Sequence, residues 1–153
     1  MTAHLIQIAD RVVECLNSSD AQDEMVLKFE SKREYIARLS KEEMVSGQAY
    51  VSVLHDSEAT ELLTRDSVGM TDYGVQVAIR GRLLVEAGID SNEVLDRFML
   101  LAEQIKDYLR RNPILNNVAL TGIQHTTVFD ADDMKDHNVF TTAPVFTYRA
   151  QRS

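Results

Sequence analysis

The stretch YGVQVAIRGR, Tyr73 to Arg82, sets Tyr73, Val75, Val77 and Ile79 against Gly74, Gln76, Ala78 and Arg80. A side chain returning to one face at every second residue is the period of a β-strand with one buried side. Just upstream, QAYVSVL (Gln48–Leu54) reads as a second strand, and HDSEATELLTRDSVGMTD (His55–Asp72) lies between the two. That stretch is too long for a tight hairpin and rich in Asp, Glu, Ser and Thr. The sequence therefore predicts an exposed projecting loop at about 55–72 that carries Asp56, Glu58, Glu61, Asp66 and Asp72.

Toward the N-terminus, Leu5, Ile6, Ile8, Ala9, Val12, Val13 and Leu16 recur at helical spacings from Thr2, which is placed to cap the start. Asn17-Ser18-Ser19-Asp20 breaks this helix, and Met25, Leu27 and Phe29 then alternate with Val26, Lys28 and Glu30 as a half-wet strand. Toward the C-terminus a second helix is expected over Ser91–Arg111. Asp90 and Glu93 have capping-box spacing, and Val94, Leu95, Phe98, Met99, Leu101, Ala102, Ile105, Tyr108 and Leu109 form a broad apolar face. Lys106, Arg110 and Arg111 complement the helix dipole, and Pro113 stops continuation.

Two closing strands follow, Val118–Phe129 with a bulge at Gly122, and Val139–Ala150. In the last of these Val145, Thr147 and Arg149 share one side and Phe146 and Tyr148 the other. Pro144 has no amide hydrogen for a ladder, which places it at a sheet edge, a bulge or a strand start. The order α-β-β-β-α-β-β defines an α+β fold, a mainly antiparallel sheet packed against two helices, in one domain spanning 1–153.

Composition narrows the function classes. With 153 residues, 44% hydrophobic and 26% charged, the chain can bury one adequate core. No apolar run approaches the roughly 18 residues of a membrane span. Gln7, Asp10, Arg11 and Glu14 interrupt the N-terminal apolar residues, unlike a signal peptide, so synthesis in the cytoplasm is expected. The single Cys15 forbids an internal disulfide and a multi-cysteine zinc site. A net charge of -8 argues against a sequence-independent grip on nucleic acid and is compatible with DNA passing by without sticking.

Chemistry-bearing motifs are sparse. His4, His55, His125 and His137 are dispersed without HExxH spacing, there is no GxSxG elbow, and Gly81 and Gly88 form no phosphate loop. In DADDMKDH, Asp130, Asp132, Asp133, Asp136 and His137 could gather round a hard cation, but the central glycine and closing glutamate of an EF-hand are absent. A solvated turn between strands is the plainer reading. His55 and Asp56, adjacent on a strand, would point to opposite faces and make a poor catalytic pair. No enzyme, cofactor or metal is expected.

Four phrases carry a resemblance across nearly the whole chain: IADRVVECLN, DYGVQVAI, EVLDRFMLLAEQIKDYL and VFTTAPVFTYRAQR. In layout they resemble the tail terminator, or tail completion, proteins of long-tailed bacteriophages, although the section Ser31–Met70 has no counterpart in that pattern. The resemblance implies a virion subunit at the head-proximal end of the tail. It would form a ring, usually of six copies, that caps the tail tube protein, ends elongation, meets the head-tail connector or stopper protein, and lets DNA pass without specific binding.

On that reading Tyr148, Arg149 and Arg152 are the expected subunit anchors, since Tyr and Arg are enriched at interface centres. The competing reading makes Phe146 and Tyr148 core and Arg149 solvated. Deletion after Tyr148 is expected to weaken the ring and spare the monomer. The acidic loop is the expected channel or docking element. Another connector, stopper or tube ring protein remains open as an alternative, as does a small ligand-binding or enzymatic domain with its pocket between sheet and helix.

Overall fold

In a computed structural model that describes residues 3–37, 39–62, 69–83, 92–125 and 139–152, the alternation at Tyr73–Ile79 belongs to the long strand β3 (Gly69–Arg82). Tyr73, Val75, Val77 and Ile79 are all buried on its helix-facing side. β3 is antiparallel to β2 (Tyr50–Leu62) on one flank, and to β5 (Val139–Thr142) and β6 (Val145–Arg152) on the other. β6 in turn pairs antiparallel with β4 (Val118–Gln124), and the short β1 (Ser31–Glu34) runs parallel to β2. The sheet order is β1-β2-β3-β6-β4, with β5 beside the C-terminal half of β3.

Helix α1 (His4–Asn17) buries Ile8, Ala9, Val12 and Leu16, one stripe at helical spacing. Helix α3 (Asn92–Arg111) buries Phe98, Leu101, Ala102, Ile105, Tyr108 and Leu109. Both stripes join the odd-numbered residues of β3 and Phe140, Phe146 and Tyr148 in one core cluster, so the helices share one face of the sheet. Each large apolar side chain buried there contributes about 1.5–3 kcal/mol. The fold is thus α+β with a mixed, mainly antiparallel sheet. None of the described helices is long and apolar enough to cross a membrane.

Several expectations need correction. Thr2 lies outside the described residues; the N-cap is Ala3, with no side-chain cap. Ser18 does the capping instead. Its extended backbone ends α1, and its hydroxyl accepts from the Ala21 amide at 3.2 Å to start the five-residue helix α2 (Ser19–Asp23). Met25–Phe29 is not a strand. Side-chain amides take its backbone donors: Val26 N–H donates to Gln104 Oε1 at 2.7 Å and Phe29 N–H to Gln22 Oε1 at 3.1 Å. The strand begins two residues later at Ser31, whose amide and hydroxyl both donate to Asn17 Oδ1.

The closing strand is broken by Pro144 into β5 and β6, and the proline carbonyl accepts from the Val77 amide at 3.0 Å. Pro144 therefore stands at a strand start, one of the positions anticipated for it. β6 itself is central, flanked by β3 and β4, and is not a sheet edge. The bulge at Gly122 is present as a register shift between Leu120 and Gly122. Asp90 of the proposed capping box is outside the described residues, as is the extension of β4 beyond His125.

Gly81 marks the closest approach of helix to sheet. A Cβ there would fall within the Phe98 ring, which is itself stacked on Phe140 at 5.3 Å. Gly81→Ala is expected to cost about 1–3 kcal/mol through overpacking, lowering the midpoint of thermal unfolding by several degrees. Gly122→Ala, where an added Cβ meets nothing within 4 Å, is the control and should leave the midpoint almost unchanged.

Candidate functional surface: the open sheet face and its acidic hairpin

The anticipated loop at 55–72 is largely strand. β2 and β3 stay in register from Tyr50↔Arg80 out to Leu62↔Gly69, with one irregularity between His55 and Ser57. The reason is templating: β6 already holds Gly69–Gln76 in extended form from the other side, so β2 finds a continuous partner far beyond its apolar segment. Asp56 and Glu58 are exposed along this arm, Glu61 lies in β2 opposite Met70, and Asp72 lies in β3. Asp66 is outside the described residues. Asp56, Glu58, Glu61 and Asp72 therefore ride on the paired strands of a long hairpin and not on an irregular loop.

Because cross-strand partners share a face, the register defines the face turned away from the helices. One complete row across it is Ala59, Asp72, Arg149 and Ala119, one residue from each of β2, β3, β6 and β4. The neighbouring row is Ser57, Gly74, Thr147 and Gly122. Small and hydroxylated side chains dominate. Gly74 has no room for a Cβ, which would strike the Ser57 hydroxyl and approach Asp56 Oδ2 to 3.1 Å. The connection from β1 to β2 leans on this face at two points: the Leu39 carbonyl accepts from Arg80 Nη1 at 2.6 Å, and the Val45 amide donates to the Tyr50 hydroxyl at 2.7 Å.

At the centre of the face Arg149 grips Asp72 with two parallel bonds, Nε to Oδ1 at 2.7 Å and Nη2 to Oδ2 at 3.1 Å. This fork is the stronger geometry for a guanidinium and a carboxylate. The Arg149 hydrogen bond holds the Asp72 carboxyl below the usual carboxylate range; partial burial opposes this and the guanidinium charge adds to it. Tyr148, by contrast, is 1% exposed and belongs to the core, where burial pushes its phenol far above the ordinary tyrosine value. That takes it away from the surface an interface anchor needs. Arg152 lies in β6 opposite Gly69.

The C-terminal residues Arg149–Arg152 pair with Gly69–Asp72, and two of them also pair with Val118 and Ala119. Deletion after Tyr148 therefore removes the middle of the sheet, and loss of the folded monomer is the expected result, not the selective loss of a ring.

Two polar clusters had no signal in the sequence. Arg33 Nε donates to Asp10 Oδ1 at 2.7 Å, while its Nη1 lies 3.2 Å from His55 Nε2. The His55 ring packs on Tyr35 at 4.9 Å. Burial and then the Arg33 charge push His55 below its ordinary pKa, with Asp10 opposing, so its role is to pack the junction of α1, β1 and β2 in the neutral form. Further along, Lys106 Nζ lies 3.0 Å from His125 Nδ1, whose Nε2 is 2.5 Å from Thr142 Oγ1. Lys106 and His125 line an open groove of about 460 Å3 beside α3. The partners in each cluster are far apart in the chain, which is why spacing alone could not find them.

The acidic run DADDMKDH, with Asp130, Asp132, Asp133, Asp136 and His137, falls outside the described residues. Among the described residues no three His, Cys, Asp or Glu side chains are gathered to hold a metal. Cys15 is half-buried, and burial raises its thiol pKa, with the nearby Asp20 charge adding to the effect. It is a packing residue. Comparison with protein-family models gives no match to this chain, and comparison with curated proteins gives none either.

The Asp72–Arg149 fork makes a pH-dependent prediction. A carboxylate with a depressed folded pKa contributes stability that is present above its unfolded value, about 3.9, and lost as pH falls through the folded value. With side chains 33% and 41% exposed, solvent screening limits the pair to about 1 kcal/mol or less. Arg149→Ala should therefore be less stable than the wild type at pH 7, and the gap should narrow in urea titrations as the pH is lowered beyond the unfolded carboxylate value of about 3.9. A gap of constant size across that range would mean that packing, and not the ion pair, is what the substitution removes.

Proposed function

We propose that this protein is a tail-terminator-type virion subunit, one of about six copies in a ring that caps a bacteriophage tail tube. The observation that supports this reading best is the asymmetry of the sheet. Helices close one face, and on the other the described residues are mostly small and polar, with an acidic hairpin at the border. Such a subunit can turn its helices outward and its polar face toward an axial channel. The layout resembling tail terminators, from the opening helix to the closing strand, points the same way.

A conduit for DNA works best with few free cations on its wall, because each phosphate-cation contact must be broken for the polymer to move. On the proposed channel face Arg149 is committed to Asp72 and Arg80 to the Leu39 carbonyl. Asp56, beside Gly74, adds negative charge on this side of the arm, while Glu58, opposite Tyr73, adds it on the other side. Repulsion at short range, within a Debye length of about 8 Å, keeps the duplex from adhering. The ring's two ends would meet the tube protein below and the head-tail connector or stopper above.

The test is a virion carrying Asp56→Lys and Glu58→Lys together. Both side chains are exposed, so the fold should survive, while DNA passage or ring docking should fail and infectious titre should drop at least tenfold. Normal infectious particles from that variant would remove the channel role of the arm.

A further inference from the structure

The sheet ends in two edges whose open lengths match. On one side β1 covers β2 only over Val51–Leu54, so the arm from Ser57 to Leu62 has a strand on a single flank among the described residues. On the opposite side β6 is the only strand beside β4 (Val118–Gln124) among the described residues, with Leu115 bridged to Val118 at its start. Two exposed apolar side chains stand where the first edge becomes open: Tyr35 and Ile36, 67% and 63% exposed, directly after β1. Tyr35 is fixed there against His55. At the other edge Val118, Leu120 and Ile123 are only partly covered by the core they pack against. An open strand edge next to unburied apolar side chains is an unfinished sheet.

Strand directions decide what can complete it. β2, β3, β6 and β4 alternate in direction across the sheet, so β4 runs opposite to β2. If copies are related by rotation about one axis, each neighbour presents its β4 antiparallel to β2, with its helices on the same side. Resting on the ring reading above, we infer that a second copy of this chain is the occupant: its β4 edge adds to the open edge of β2, head to tail. The C-terminal end of the incoming β4 then arrives beside β1, where Ile123 covers Tyr35.

This contact is heterologous, so it closes into a ring or runs on as a filament, unlike a self-complementary dimer. Its dimensions suit closure. Four strands per copy at ~4.8 Å spacing give six copies a sheet ~37 Å across, or ~27 Å between side chains after ~5 Å is allowed on each wall. The charged arm has a second effect. Asp56 and Glu58 discourage pairing of β2 with another β2 edge, since like charges directly opposite one another are destabilising.

Disulfide trapping tests the inference. In a Cys15→Ser background, Ala59→Cys is combined with Ala119→Cys or with Gly122→Cys, the two open-face positions of β4 that cover the alternative registers. All three sites tolerate a small side chain: Ala59 and Ala119 are exposed, and a Cβ at Gly122 meets nothing within 4 Å. Mild oxidation of concentrated protein should give a ladder of covalent oligomers in one double variant and only monomer in each single variant. A dimer from Ala59→Cys alone, or no cross-link in either double variant, would overturn the inference. Mass by light scattering keeps the ring reading separate: rings without the cross-link would remove this interface and leave the ring, and a ladder that extends into filaments would do the reverse.

Discussion

β3 carries the constraint on which the other elements depend. Its odd-numbered residues from Tyr73 to Ile79 lie in the core, and strands flank it on both sides, so three of the five strand pairings in the sheet are made by it. Once it is extended, β2 has a template as far as Leu62, β5 and β6 have one on the opposite flank, and α3 can approach as closely as Gly81 allows. A strand buried on one face and merely polar on the other also commits the helices to a single side. The two-faced character of the molecule follows from that alternation.

The same asymmetry links fold to function. A sheet with both faces covered would be finished as a monomer, and one with an apolar open face would aggregate. Here the open face is polar, its central cation is neutralised by Asp72, and among the described residues the two most exposed large apolar side chains, Tyr35 and Ile36, stand at one border. That distribution suits a subunit whose face meets water or a polyanion and whose edges meet copies of itself. The proposed ring draws on both properties at once.

Sequence reading recovered what rests on periodicity. The alternation of β3, the apolar stripes of α1 and α3, and the two-sided pattern of β6 all emerge from side chains that pack on one core. It failed where backbone partners decide the outcome. Ser57–Leu62 has the composition of a loop and becomes a strand because β3 is held extended beside it. Met25–Phe29 has the alternation of a strand and is not one, because Gln22 and Gln104 take its amides. Tyr148 illustrates the limit at the surface: enrichment of tyrosine at interfaces is a statistical tendency, and position within a central strand overrides it. Partners such as Arg33 with His55 or Lys106 with His125 are joined by topology alone.

The central claim is that copies of this chain close into a ring whose polar sheet faces surround an open axis. Negative-stain electron microscopy of the purified protein over a range of concentrations, with mass from light scattering, addresses it most directly. Closed six-fold rings with a central opening wide enough for a nucleic-acid duplex are the predicted result. A strict monomer at every concentration, even when tail tubes are supplied as a template, would contradict it.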